Sequence, residues 1–225
     1  MPLAGKGMLL TSMDIDPSDE TNFNRWYDRE HLEERVAIDA FLEARRYIAH
    51  QGAPKYLCLY STETFDVLDS AAYRAALANP TDWSKTTMAR FKNMIRAVAR
   101  ITISRGKGRG AALGIIRIRP ETGAENRLRA ALREKLDPEQ HDGIISMHLI
   151  ESDPGLSRPI NAAAGVSAPG AGDWFVLIDG TDVNAVSKVI TARFTGPAAF
   201  KGGTQISSGS YVLMWDLAKG DLSAV

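Results

Sequence analysis

Apolar and polar positions along the chain recur in an order of elements that appears twice. Residues 8–15 form a strand-like run, and Asp16-Pro17 follows with the chemistry of a helix start. A carboxylate can cap there, proline suits the first helical position, and Asp19 and Glu20 would sit in the first turn. The apolar spacing then predicts a helix through Arg35, and strands over 45–50 and 56–62, split by the turn residues Gln51-Gly52-Ala53-Pro54. Helices are predicted over 70–78 and 84–100, and a strand over 101–104. The second half gives a strand at 112–119, a helix at 124–136, strands at 144–151 and 174–178, a helix at 183–193 and a strand at 211–216. Each half therefore reads β-α-β-β-α-β, the ferredoxin-like split βαβ.

The runs 174–178 and 211–215 are apolar on both faces, whereas an antiparallel sheet with one wet face should alternate. Both faces must be covered, one by helices and the other by the second half's sheet. The predicted fold is α+β: two ferredoxin-like repeats whose antiparallel sheets pack together as an intramolecular α+β barrel and enclose a cavity. Residues 1–106 make the first repeat and 111–225 the second, joined by Arg105-Gly-Lys-Gly-Arg-Gly110, a flexible linker by composition. The stretch 153–172, rich in Gly, Pro, Ala and Ser, is longer than the ~12–15 residues beyond which loops tend to be functional or disordered.

Composition narrows the class. The 225 residues carry 27 Lys plus Arg against 27 Asp plus Glu, so zero net charge argues against bulk nucleic-acid binding. One cysteine, Cys58, allows neither an internal disulfide nor a Cys-based zinc site and fits a cytoplasmic setting. No apolar run approaches the ~20 residues that span a bilayer, so no membrane partner is expected. Between Lys85 and Arg119 there is no Asp or Glu, and Lys92, Arg96 and Arg100 follow one another on a face of the predicted helix 84–100, beside a core stripe of Met88, Phe91, Ile95 and Val98. This cationic face is read either as plainly solvated or as a field that steers a small anion. No dinucleotide fingerprint, P-loop, nucleophile elbow or HExxH stands in the sequence. No resident metal or cofactor is expected from it.

The helix ending at Arg35 holds the most informative chemistry. Phe23, Trp26, Tyr27, Glu30 and Glu34 share a face at helical spacing, with His31 at its edge. A carboxylate inside an aromatic stripe needs a partner or a raised pKa, and the pair Glu30-His31 suits acid–base work near neutral pH. The plainer alternative ends the stripe at Tyr27 and leaves both residues at the surface. On strand 45–50, Arg46 and His50 share one face and Arg45 and Tyr47 the other, with no sign of which looks into the cavity. On strand 56–62, Leu57 and Leu59 are assigned to the helices, which turns Tyr56, Cys58 and Tyr60 inward, with Lys55 at the strand mouth. His148 takes an analogous strand position in the second half, where a lone histidine is more often a satisfied core residue.

The run Phe23-Asn-Arg-Trp-Tyr-Asp-Arg-Glu-His-Leu32, with Arg45-Arg-Tyr47, Pro54-Lys-Tyr56 and Pro80-Thr-Asp-Trp83, resembles the EthD-like proteins of the dimeric α+β-barrel superfamily. The second half departs from the motif, reading Glu125-Asn-Arg-Leu-Arg-Ala130, so the resemblance implies a tandem pseudo-dimer with one active half. It implies a small-molecule pocket between sheet and first helix, in a superfamily of isomerases, cofactor-free oxygenases and cyclases, and haem enzymes. The leading expectation is a cofactor-independent double-bond isomerase, or a lyase, acting on a small anionic, carboxylated intermediate of aromatic-compound catabolism. Glu30 or His31 would be the base and Tyr47 or Tyr56 the acid or oxyanion donor. Arg46, Lys55, His50 and His148 would hold the substrate, and Trp26 and Trp83 would line the wall. A haem-dependent dehydratase or oxidoreductase and a non-catalytic ligand-binding module are the alternatives. Assembly into a homo-oligomer is left open.

Overall fold

A computed structural model describes residues 3–158 and 168–223. The first half contains β1 (Gly7–Asp14), α1 (Glu20–Trp26), α2 (Leu32–Ala37), β2 (Phe41–Gln51), β3 (Tyr56–Thr62), α3 (Ala71–Ala78), α4 (Asp82–Met88) and β4 (Lys92–Gly106). The second contains β5 (Ala112–Pro120), α5 (Glu125–Lys135), β6 (Ile144–Ser152), β7 (Trp174–Gly180), α6 (Val183–Arg193) and β8 (Gly203–Ala218). The eight strands form one closed barrel in the order β1-β3-β2-β8-β5-β7-β6-β4, with every pairing antiparallel. Each half supplies four adjacent strands, and the halves meet edge to edge along β2–β8 and β4–β6. The expected α+β barrel is therefore present, with its helices on the outside. No helix among the described residues is long and apolar enough to cross a membrane.

Three expectations are overturned here. The predicted helix 84–100 ends at Met88, the chain turns at Ala89-Arg90, and the strand β4 begins at Lys92, with Asn93 inside it at φ 51°. Met94, Arg96 and Val98 then alternate with Ile95, Ala97 and Ala99, so the arginines lie along a strand rather than a helix. The barrel interior is also not an open cavity: Met8, Leu10, Tyr47, Leu57, Leu59, Ala97, Phe175, Leu177 and Tyr211 fill it. Leu57 and Leu59 thus face the interior, while Tyr56, Cys58 and Tyr60 face the helices, the reverse of the assignment from the pattern.

One end of the interior is polar. Arg45 donates to Asp179 at 3.0 Å, and His148 lies between the Ser104 and Ser146 hydroxyls at 3.0 and 2.9 Å. The linker lies across this end: the Gly110 carbonyl accepts from Arg45, the Gly108 carbonyl accepts from Ser146, and Arg109 pairs with Glu43. The loop predicted over 153–172 is described at both ends. Asp153 N–H donates to the Val98 carbonyl and Arg96 N–H to the Pro169 carbonyl, while residues 159–167 lie outside the described residues.

Candidate active site

The first helical rod, 20–37, is not a uniform α-helix. Residues Tyr27–His31 form a π turn, in which Leu32 N–H reaches back to the Tyr27 carbonyl. An inserted residue changes the helical phase, and such turns are frequent at functional sites. The change brings His31 under Trp26, ring on ring at 4.0 Å and 23°, and rotates Glu30 toward α4. Glu30 there accepts from Trp26 Nε1 at 3.1 Å, Thr81 Oγ1 at 2.6 Å and Ser84 Oγ at 3.1 Å. It ties α1 to α4 rather than facing a ligand.

Between this rod, α3, α4 and the outer face of the first half's sheet lies a cavity of about 330 Å³. Trp26, Tyr27, Tyr60, Tyr73 and Phe91 line it, with Thr11, His31, Arg35 and Arg96 among its polar groups. Mostly apolar walls with a few convergent polar groups suit a small-molecule site. A larger groove of about 760 Å³ in the second half, near Arg127 and Lys201, is lined mainly by glycines and polar side chains, with Phe200 its single aromatic. The space under α5 and α6 that would match the first-half cavity is filled by Leu128, Leu132, Val186 and Ile190.

Three of the cavity's polar groups lack partners. The His31 Nδ1 and the Tyr60 hydroxyl are buried with no hydrogen bond, and their rings stand 6.3 Å apart. Arg35 is 5% exposed and its guanidinium forms no hydrogen bond or ion pair among the described residues. An unpaired guanidinium on the cavity wall offers its donors to an anion. Burial pushes the His31 pKa down to about 4, which keeps the imidazole neutral at ordinary pH. Glu34 Oε2 stands 3.9 Å from Nδ1, beyond hydrogen-bond reach, and opposes the shift only in part. Burial also raises the Tyr60 phenol well above its usual range and the Tyr27 phenol above it, so both act as neutral donors.

Of the residues singled out from the sequence, Trp26 and His31 line the cavity. Arg46 is committed elsewhere, to Asn24 at 2.6 Å and Asp28 at 3.2 Å, with its guanidinium 4.2 Å from the Tyr27 ring centroid. Lys55 pairs with Glu20, and Trp83 donates to Asn22 at 3.2 Å. Tyr56 packs on Phe23 in the same hydrophobic cluster without lining the cavity. His50 is exposed near the end of β2. Tyr47 and His148 face the barrel interior, on the other side of the sheet. Arg35, Tyr60 and Arg96 were not singled out as site residues. The signal for Arg35 was its place four residues after His31, one turn along the same face.

No family model matches the sequence, and no curated protein matches it. Solved structures do match over nearly the whole chain. An anthrone oxidase-like protein aligns with a TM-score of 0.64 at 10% identity, covering 98% of this chain and 96% of that one. A putative monooxygenase from Lactobacillus acidophilus aligns at 0.55 and 9%, covering 96% and 97%. A putative chlorite dismutase aligns at 0.54 and 10%, covering 98% of each. The fold is the dimeric α+β barrel. At such identities the likeness of this α+β-barrel chain to its neighbours extends to architecture and not to the reaction.

Proposed function

We propose that this α+β-barrel protein is a cofactor-independent acid–base enzyme, akin to the EthD-like proteins, acting on a small, flat, anionic molecule of aromatic-compound catabolism. The observation that carries this reading is one aromatic cavity lined by His31, Arg35 and Tyr60, with the Tyr60 hydroxyl buried and unpartnered. Glu34, on the Nδ1 side, favours the tautomer with the proton on Nδ1 and leaves Nε2 as the basic nitrogen. Nε2 takes a proton from a carbon beside a carbonyl; the C–H bond breaks, an N–H bond forms, and the electron pair moves to the carbonyl oxygen. Tyr60 donates to that oxyanion, and Arg35 compensates the charge. The substrate's own negative charge favours the imidazolium and so makes His31 a stronger base once the site is loaded. Returning the proton to a different carbon moves the double bond.

A second reading has the same first step, after which molecular oxygen takes the carbanion's electrons. Its support is the architecture shared with an anthrone oxidase-like protein and a putative monooxygenase. A haem fits the cavity less well, because about 330 Å³ is small for the macrocycle.

The test is proton NMR in heavy water, with unsaturated ring-fission acids and hydroxynaphthalenes, under argon and under air, preceded by an absorbance scan. Deuterium exchange should fall at least a hundredfold in His31→Ala, and by about a hundredfold in Tyr60→Phe. Exchange under argon with a moved double bond supports the isomerase, and turnover that needs air supports the oxygenase. Exchange that survives in His31→Ala, or a Soret band, overturns the proposal.

A further inference from the structure

The cavity has a second chamber behind Arg96. A cleft of about 500 Å³ shares Tyr73, Leu77 and Arg96 with the first cavity and continues to Arg74 and Arg158. The side chains of Tyr73, Leu77 and Arg96 stand between the two, and the hydrogen bond that joins them, from Arg96 Nη2 to the Tyr73 hydroxyl, is a long 3.3 Å. Arg96 Nη1 donates to the Leu156 carbonyl at 2.6 Å, so its acceptors are neutral oxygens and its charge is uncompensated among the described residues. Arg158 forms no ion pair among those residues either, whereas Arg74 is neutralised by Asp69 at 2.5 Å.

The far wall of this chamber comes from the second half. Residues 153–158 pack against β4, where Val98 N–H donates to Ser157 Oγ at 2.9 Å and Asp153 N–H donates to the Val98 carbonyl at 2.8 Å. Asp153 Oδ1 also accepts from Gly155 and Leu156 N–H, which fixes the turn that presents the Leu156 carbonyl to Arg96.

We infer that the ligand is bipartite: a flat ring system in the aromatic cavity, and a short aliphatic arm that passes Arg96 and ends in a carboxylate beside Arg158. A carboxylate displaces the phenol oxygen from Arg96 because a charge-assisted hydrogen bond is roughly twice as strong as a neutral one. Arg96 is then the residue that selects for the arm, and the second half is part of the site rather than only its support. This inference rests on the proposed function, whose ring cavity it extends.

The test is calorimetric titration of the full chain with 2-naphthol and with 4-(6-hydroxynaphthalen-2-yl)butanoic acid. The butanoate should bind about tenfold tighter or more. That ratio should shrink at least threefold in Arg158→Ala and approach one in Arg96→Ala, with thermal melting used to confirm that both variants fold. Equal affinities for the two compounds in the parent chain, or a ratio unchanged in both variants, overturns the bipartite ligand while leaving the ring site standing. Failure of both compounds to bind overturns the ring site and, with it, this inference.

Discussion

His31 is buried against Trp26 and Tyr27, with Glu34, Arg35 and Arg46 as the charged groups around it. Its depressed pKa has a consequence for stability. From the usual 6.5 down to about 4, the unfolded chain protonates this histidine while the folded chain does not. The unfolded state therefore binds more protons across that window, and stability is lost as pH falls through it. The shift from 6.5 to about 4 corresponds to about 3 kcal/mol at most. Urea midpoints measured from pH 7 to pH 4 should drop more steeply for the parent chain than for His31→Gln. Parallel curves would show that the imidazole is not held neutral.

At the scale of elements, the π turn decides which of two adjacent residues meets the cavity. Glu30→Ala should cost about 1–3 kcal/mol, because Trp26, Thr81 and Ser84 lose their shared acceptor. Turnover per folded molecule should stay within a few-fold of the parent; a loss as deep as that of His31→Ala would return Glu30 to catalysis. The sequence spacing brought Glu30 and His31 forward together but could not separate them, since a single inserted residue leaves no mark on apolar periodicity. The strand 56–62 and the helix 183–193 were legible because their patterns are strong and their ends carry turn residues or a capping aspartate. The segment 84–100 was misread because Met88, Phe91, Ile95 and Val98 imitate a helical stripe. Its true alternation is disguised by covered faces on both sides, with alanines on one and Arg96 on the other. Arg35 and Arg96 were passed over for the same reason: which cations lack a carboxylate is a fact of packing, not of spacing.

For the whole molecule, the Arg45–Asp179 pair joins the halves inside the barrel, both side chains almost fully buried. Breaking such a pair strands a charge, so Arg45→Ala should cost about 3–5 kcal/mol. Arg45→Met combined with Asp179→Leu should recover much of that loss, and guanidinium unfolding of the three variants measures the difference. A single variant no less stable than the double would show that the pair does not act as a latch.

The pairing of Glu43 with Ala218 across the β2–β8 seam also bears on how the chain reaches this state. During synthesis the first half emerges with β2 and β4 each lacking one neighbour, and Met8, Leu57 and Ala97 have nothing opposite them. Unpaired edges of this kind recruit other strands, and contacts so distant in sequence form slowly. The nascent chain therefore passes through an interval, lasting until β8 has been made, in which it depends on chaperones or dilution to avoid aggregating with its neighbours.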